Sequence, residues 1–226
     1  MYDSILLPVD GSEHAANIVH HAAELAQWTG ATIEVLFVAD TTRDSVTVVD
    51  GTVVDALEQE RETIVADVTE TLEALDVEHS TDVVQGSPAS TIVDYAERYD
   101  HDLIVLPTHG RTGISRYLLG SVTEKVVRLS NVSVLTTRTQ PEEQLALPYE
   151  SILIPTDGRP ASTAAAKHGL ALAATLDAPV HILSVEEVTT KANEHDLAHV
   201  QTYVEHESPA EVIRKHIETN GVHAVV

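Results

Sequence analysis

Residues 4–11 read SILLPVDG, a short apolar run that ends in the turn-forming pair Asp-Gly. An apolar run of this length bounded by a turn is typical of a strand buried on both faces of a parallel sheet. Nearly the same letters return at residues 151–158 as SILIPTDG, and the SPA of residues 87–89 returns at 208–210. A repeat of this length predicts two successive domains rather than a solenoid of short units.

The second copy is predicted to be shorter than the first. The spacing between matching residues falls from 147 to 121 along the chain, so 26 residues are absent inside the second copy. On the same alignment Val226 corresponds to Val105, and the second copy is expected to lack the last helix and strand. We therefore predict a first domain over 1–139, a linker over 140–148 and an incomplete second domain over 149–226.

Strand and helix patterns alternate along the first copy. Strands are predicted at 5–9, 32–38, 80–84, 103–106 and 132–135, and helices after Ser12 as a capping residue, over 53–75, from 87–88 and over 121–129. The second copy repeats the pattern, with a short helix near 191–198, a strand near 203 and a last strand at 223–226. This alternation predicts an α/β fold with a parallel sheet covered on both faces by helices.

The amino-acid composition excludes several kinds of partner and site. The chain has 13 Lys and Arg against 36 Asp and Glu, a formal charge of −23, which disfavours nucleic acid and anionic membranes as partners. It has no cysteine, which excludes disulfides, thiolate metal sites and cysteine nucleophiles. No apolar stretch reaches the roughly 18 residues of a membrane span and the N-terminus has no signal pattern. A soluble, cytoplasmic protein is expected.

The segment after the fourth predicted strand has a composition suited to an anionic ligand. Gly110 and Gly113 allow close approach of the backbone, and Gly120-Ser121 opens a helix whose free N–H groups would attract a phosphate. Arg111 and Arg116 add positive charge in the same segment.

Two readings without a ligand stay open at this point. Residues 121–124 read SVTE, which fits a capping box in which Ser121 and Glu124 satisfy the helix start themselves. Asp10 stands before a glycine, and Asp-Gly is a common turn pair, although its recurrence in the second copy favours a functional role.

Taken in order, PVDGS at 8–12, GSP at 86–88, THGRTG at 108–113 and LLGSV at 118–122 resemble the universal stress protein family. The resemblance implies a Rossmann-like sheet of the adenine nucleotide alpha hydrolase type, with strand order 3-2-1-4-5. The nucleotide-binding branch of the family has a Gly-x2-Gly-x9-Gly-Ser/Thr motif that holds ATP. Here the motif falls on Pro107, Gly110, Gly120 and Ser121, so its first glycine is replaced by a proline that removes a backbone donor.

By the same resemblance, the ligand is ATP or a related adenine nucleotide, with Mg²⁺ as a candidate companion. Val9, Asp10 and Val38 would line its adenine and ribose end, and a second group would surround its phosphates. The full predicted set is Pro8, Val9, Asp10, Val38, Pro107, His109, Gly110, Gly120, Ser121, Val122 and Thr123.

Three functions are consistent with these residues. The leading hypothesis is a stress-response sensor or regulator with one nucleotide site, in the first copy. The second is a slow ATP hydrolase or nucleotidyl transferase, although the chain lacks the Gly-Lys-Ser/Thr of a P-loop and no catalytic residue is assigned. The third is an interaction scaffold without a ligand.

Assembly and metal binding are also addressed by the sequence. Members of the family commonly pair through the fifth strand, and here only the first copy is expected to have one, so a homodimer through residues 132–135 is predicted.

His195 and His199 have the i, i+4 spacing of helical metal ligands, but no third ligand accompanies them, so no metal site is predicted.

The acidic balance, together with one Trp and one Phe among abundant Thr, Val and Ala, predicts a protein adapted to a salt-rich cytoplasm. Salt shortens the Debye length from about 30 Å at 0.01 M to about 3 Å at 1 M, which screens the repulsion among carboxylates. We expect the melting temperature, followed by circular dichroism, to fall when KCl is lowered from 1 M to 0.01 M. An unchanged melting temperature would contradict this expectation.

Overall fold

The computed structural model describes residues 1–12, 15–40, 48–49, 52–53, 56–108, 120–137, 147–184, 200–204 and 208–226. The chain forms two compact units, one spanning Tyr2–Leu145 and the other Ala146–Val226 together with Met1. Within the described ranges, no helix has both the length and the apolar character needed to cross a bilayer.

The first unit is built on a five-stranded parallel sheet with the order β5-β2-β1-β6-β7. Counting only the strands of this sheet along the chain, the order is 3-2-1-4-5, so the predicted fold class is confirmed. The elements are β1 (Ser4–Val9), α1 (Ala15–Thr29), β2 (Thr32–Asp40), β3 (Val48–Val49), β4 (Thr52–Val53), α2 (Ala56–Ala74), β5 (His79–Gly86), α3 (Pro88–Arg98), β6 (Leu103–Pro107), α4 (Ser121–Leu129) and β7 (Ser133–Thr137).

The predicted start of the second helix at residue 53 is wrong. Val53 lies in β4, where it pairs with Val48 of β3 in a two-residue antiparallel ladder, and α2 begins at Ala56. Thr52 and Val53 are β-branched and favour an extended backbone. The apolar pattern of the predicted helix therefore starts three residues before the helix itself.

Helices cover the sheet because the strand side chains are apolar on both faces. Leu6, Leu36 and Ile104 are fully buried in a cluster that includes Ile92 and Ala96 of α3 and, from α4, Val126. The first helix, α1, contacts β1, β2 and β6. Each fully buried aliphatic side chain contributes about 1.5–3 kcal/mol, so this core is the main source of stability of the unit.

The beginnings of β1 and β6 are joined by a side chain. The Asp102 Oδ2 atom accepts hydrogen bonds from the backbone N–H groups of Asp3 at 2.8 Å and Ser4 at 3.1 Å, and the Asp102 N–H donates to the Ser4 carbonyl at 2.9 Å. Pairing then continues with Ile5 opposite Leu103 and Leu6 opposite Ile104. Asp102 therefore fixes the register in which the two strands run.

A second polar group connects β2, β5 and α3. The Tyr95 hydroxyl bonds to Glu34 and, at 2.8 Å, to Asp82 Oδ2, while His101 Nε2 lies 3.1 Å from Glu34 Oε2. Desolvation, followed by the hydrogen bonds to both carboxylates, raises the pKa of Tyr95. These bonds hold α3 over the outer strands of the sheet.

The second unit carries a four-stranded parallel sheet with the order β10-β9-β8-β11. Gly169 lies where its helix meets the sheet, and a Cβ built on it would be 2.8 Å from Ile154 Cδ1, so glycine permits this close approach. The predicted helix near 191–198 falls outside the described residues. The elements are β8 (Ile152–Thr156), α5 (Pro160–Leu176), β9 (Val180–Ser184), β10 (Val200–Val204), α6 (Pro209–Asn220) and β11 (Ala224–Val225).

Burial of Tyr2 predicts how the free energy of unfolding changes at high pH. Desolvation, and then the charge of Asp102, raises the pKa of Tyr2 from 10.0 to about 12. Because the folded pKa lies above the unfolded one, the contribution of Tyr2 is fully present below pH 10 and is lost as the pH rises towards 12. Two pKa units correspond to about 2.7 kcal/mol.

We expect Tyr2→Phe to lose less free energy of unfolding between pH 10 and 12 than the wild type, by up to that amount, in urea titrations at each pH. Tyr99→Phe is the control because the Tyr99 side chain is 54% exposed. Equal pH slopes for the wild type and Tyr2→Phe would show that the buried hydroxyl does not limit alkaline stability.

Candidate functional site

The order of the first sheet places β1 and β6 side by side, with their carboxyl ends at one edge. Val9 and Pro107 each lie three residues beyond Leu6 and Ile104, which pair with one another in the ladder. The chain order reverses between these strands, and ligands of open α/β sheets bind at such a switch point beyond the carboxyl ends. The described part of the crevice therefore starts with Asp10 on one side and Thr108 on the other.

Asp10 closes the turn that follows β1. Its Oδ1 atom accepts the N–H of Ser12 at 3.0 Å, and Gly11 between them has a φ of 70°, a left-handed conformation that glycine adopts without strain. The turn role left open by the sequence is therefore present. It also fixes the exposed carboxylate of Asp10 at the edge of the sheet.

Ser12 does not have the capping role expected of it. The residue is 7% exposed, and its Oγ atom has no hydrogen-bond partner among the described residues. The Oγ1 atom of Thr137, at the carboxyl end of β7, is likewise buried and unpaired in the described part of the chain. A buried hydroxyl left unpaired costs about 1–3 kcal/mol, and two such hydroxyls lie near this edge without a partner among the described residues.

The start of α4 is bonded to the end of β6. Gly120 N–H donates to the Thr108 carbonyl at 2.7 Å, and Thr123 Oγ1 donates to the Pro107 carbonyl at 2.8 Å. The first helical bond runs from Glu124 N–H to the Gly120 carbonyl at 2.8 Å. The N–H groups of residues 121–123 precede it, which makes this helix start an anion-attracting end.

The capping-box reading of residues 121–124 is wrong. The N-cap is Gly120, which has no side chain to bond the helix start, and Ser121 is the first helical residue. Glu124 instead lies 3.5 Å from Arg128, one turn further along α4. Side chains of the helix therefore leave its first N–H groups to another partner.

The first residue of α4 differs from that of α3, α5 and α6, whereas α1 and α2 begin with alanine. In α3, α5 and α6 this position is a proline, which has no N–H to offer. At the same position α4 has Ser121, which keeps its N–H.

The remaining predicted residues are placed as follows. Pro8 and Val9 are buried in β1, and Thr123 is buried in α4. Val38, near the end of β2, and Val122 are partly buried against the same core cluster. His109 and Gly110 fall outside the described residues, as do Arg111, Gly113 and Arg116.

Pro107 occupies the position where the resembling family has a glycine. Thr108 N–H donates to Thr137 of β7 at 2.9 Å. Successive N–H groups of a strand point to opposite neighbours, so position 107 faces β1. Proline therefore withholds a backbone donor from the side of the crevice.

Comparison with known proteins identifies the family. The sequence profile described as "Universal stress protein family" matches residues 1–138 and 148–199. The chain belongs to the universal stress protein family. Its match to a universal stress protein of Methanocaldococcus jannaschii is 31% identical over 146 residues, covering 63% of this chain and 86% of that protein.

Solved structures agree with the fold. The structure of the hypothetical protein MJ0577 is 30% identical, with a TM-score of 0.55 over 62% of this chain and 98% of that one. A universal stress protein from Archaeoglobus fulgidus covers 98% of this chain and 85% of its own, with a TM-score of 0.78 and 22% identity. The latter likeness concerns the fold alone.

This universal stress protein has a cavity in its second unit that sequence reasoning missed. It has a volume of about 280 Å³ and lies at the carboxyl ends of β8 and β9, beside the start of α6. The recurring SILIPTDG was the signal that could have found it. The lining residues are Pro155, Thr156, Asp157, Ser162, Leu183, Ser184, Pro209, Val212 and Ile213.

A larger open groove of about 520 Å³ follows α2 beside Val83 of β5. Three of its lining residues are the carboxylates Glu62, Glu70 and Glu73, which disfavour an anionic ligand. In the described part of the chain, no three His, Asp or Glu side chains gather as metal ligands would, and His195 and His199 lie outside it.

Proposed function

We propose that the first unit binds ATP or a related adenine nucleotide in the crevice beyond β1 and β6, and that the protein acts as a nucleotide-dependent regulator of the stress response. One observation carries the proposal: the start of α4, whose first N–H groups have no hydrogen-bond partner among the described residues, is bonded to the end of the strand that lies beside β1.

The phosphates would lie at the start of α4. The N–H groups of Ser121, Val122 and Thr123 and the positive end of the helix dipole favour negative charge there. The Thr123 hydroxyl is committed to the Pro107 carbonyl, so it fixes the helix start rather than serving as a free donor. His109 and Gly110 complete this group by the family resemblance.

The nucleoside would lie towards β1 and β2. A carboxylate after a strand of this kind of sheet can accept hydrogen bonds from ribose hydroxyls, and Asp10 has that position. Pro8, Val9 and Val38 supply the apolar side chains next to it, which suits a base.

Binding with a regulatory outcome is favoured over turnover. Phosphoryl transfer needs a metal clamp and a group that positions the nucleophile. Among the proposed contacts that the structure describes, Asp10 is the one ionisable side chain, and it already closes a turn. Mg²⁺ would be held mainly by the phosphates of the nucleotide.

Isothermal titration with ATP and Mg²⁺ tests the nucleotide site. We expect about one site per chain, and a stabilisation of about 2.7 kcal/mol at a hundredfold excess over Kd. Ser121→Pro removes one N–H donor at a position where helices accept proline, and Gly120 already has φ −59° and ψ 145°, which a following proline allows. We expect this variant to fold normally and to bind ATP about tenfold more weakly.

Asp10→Asn should also weaken ATP binding, while Asp157→Asn, which changes the same turn in the second unit, is the matched control and should not. Equal ATP binding by wild type, Ser121→Pro and Asp10→Asn would refute the site, and absence of binding would favour the scaffold function. Multiple turnovers of ATP at a rate lowered by Asp10→Asn would favour the enzyme.

A homodimer through β7 is the second part of the proposal. β7 is at the edge of its sheet, where one side of its backbone lacks a strand partner among the described residues. Val127 and Leu129 on the preceding helix α4 are 47% and 57% exposed, so a partner chain that pairs with β7 could cover them.

Sedimentation velocity at micromolar concentration in 1 M KCl checks this assembly. We expect a dimer for the wild type and a monomer for the Val127→Glu, Leu129→Glu double variant, because both changes add charge to the exposed apolar face. Trp28→Glu, which changes the 46% exposed Trp28 of α1, should remain dimeric. A monomeric wild type would refute the dimer.

A further inference from the structure

The open groove between α2 and β5, called the α2–β5 groove below, lies apart from the nucleotide site proposed for the first unit. It has a volume of about 520 Å³. We propose that this groove binds a basic amphipathic helix of a partner protein, one whose apolar face is flanked by Lys or Arg. The lining residues are Glu62, Val65, Ala66, Thr69, Glu70, Glu73 and Val83.

The groove exists because α2 covers only part of the sheet. Val68 and Leu72 of α2 are buried, whereas Val83 of β5, the outermost strand, is 38% exposed. On the opposite face of the same strand, Val84 is partly buried against the core cluster that includes α3. One face of β5 is thus covered by the protein, and the other leaves an apolar floor beside α2.

Charge selects a cationic partner. Glu62, Glu70 and Glu73 are exposed, and their carboxylates form no ion pair within the described part of the chain. Glu70 and Glu73 are close enough on α2 to repel one another, and Glu73 stands in the last turn, where the helix carbonyls already bring negative charge. A cationic partner relieves both repulsions, whereas an anionic one adds to them.

The backbone of β5 favours a helix over an added strand. The Glu78 carbonyl accepts the Ile33 N–H of β2 at 3.0 Å, so by alternation the Val83 N–H points away from β2, towards the outer edge. That N–H donates to Asp82 Oδ1 at 2.7 Å. An added strand would have to displace this bond, while a helix needs only the side chains of the groove.

The dimensions of the groove suit a short helix. From Glu62 to Glu73, α2 rises about 16 Å at about 1.5 Å per residue, which equals about three turns of a partner helix. The apolar face of that helix would rest on Val65, Ala66 and Val83, and its cations would lie beside the glutamates. Apolar contact and charge attraction therefore act on the same segment.

Binding of synthetic peptides tests the proposal by fluorescence anisotropy with the full chain. The probe is a labelled helical peptide of about four turns with Leu at i, i+3 and i+7 and Lys on both flanks. In about 0.3 M KCl the Debye length lies between about 3 and 10 Å, so charges in contact still attract while distant ones are screened. We expect about one peptide per chain.

Two control peptides separate apolar contact from charge. A peptide with alanine in place of each leucine keeps the charge and should bind about tenfold more weakly or worse, because the apolar floor stays uncovered. A peptide with glutamate in place of each lysine keeps the apolar face and should not bind, because it meets like charge at the edges of the groove.

Val83→Lys assigns the binding to the floor of the groove. It introduces a cation at an edge-strand position that tolerates lysine and should weaken binding of the leucine–lysine peptide about tenfold. Val225→Lys is the matched control, because it changes a 48% exposed valine of β11 in the second unit, and it should bind as the wild type does.

A triple variant assigns the binding to the glutamates. Glu62→Gln, Glu70→Gln and Glu73→Gln together should weaken binding about tenfold or more. The matched control removes the same charge from exposed residues outside the groove and should change little; circular dichroism checks that each variant is folded. Its substitutions are Asp67→Asn, Asp76→Asn and Glu78→Gln.

The inference is overturned if the wild type binds no peptide, if the peptide without leucine binds as tightly as the one with it, or if Val83→Lys and the groove triple variant both bind like the wild type. An equal loss of affinity in the control triple variant would also overturn it. Conversion of a dimer to a monomer by Val83→Lys in sedimentation velocity would show that the groove holds a second copy of this chain instead. Nucleotide binding is not a readout here, so failure of the first site leaves this test intact.

Discussion

The parallel pairing of β1 with β6 is the constraint on which the first unit depends. The Asp102 carboxylate and backbone bond to the first residues of β1, and the pairs Ile5–Leu103 and Leu6–Ile104 continue from there. Because this register is fixed at the start of the strands, their carboxyl ends reach the same edge of the sheet. The turn of Asp10 and the start of α4 share an edge as a result.

Two sets of hydrogen bonds then shape the site. The backbone of β1 turns at Gly11 with the Asp10 carboxylate accepting Ser12 N–H, while α4 is held to β6 through Thr123 and Gly120. Both arrangements are local, and both depend on side chains of modest size. The fold thus presents a carboxylate and the first N–H groups of a helix at the same edge of the sheet.

Much of this arrangement could be predicted from the sequence, for identifiable reasons. The run at 4–9 is apolar at nearly every position, which only a doubly covered strand requires, and the strand order followed from the family resemblance. Residues 121–129 were predicted with the observed bounds because Gly120 and the apolar spacing mark both ends. The two-residue ladder of β3 and β4 was missed because so short a pairing leaves no period to detect.

The hydrogen-bond roles were harder to predict. Ser12 and the SVTE of residues 121–124 are residue types that often cap helices. The hydroxyl of Ser12 is nevertheless buried and unpaired in the described part of the chain, and the N-cap of α4 is Gly120. The residue type determines whether a side chain can form a hydrogen bond. Which partner it bonds depends on how closely elements distant in the sequence approach in the fold. The same limit explains why the cavity at Asp157 was missed, since Leu183 and Val212 reach it only through folding.

Backbone amide shifts measured in ¹⁵N-labelled protein during an ATP titration test the central claim most directly. We expect the largest shifts on the N–H groups of Ser121, Val122 and Thr123, together with Asp10 and Gly11 across the crevice. Shifts that leave the start of α4 unchanged and fall elsewhere in the chain would contradict it.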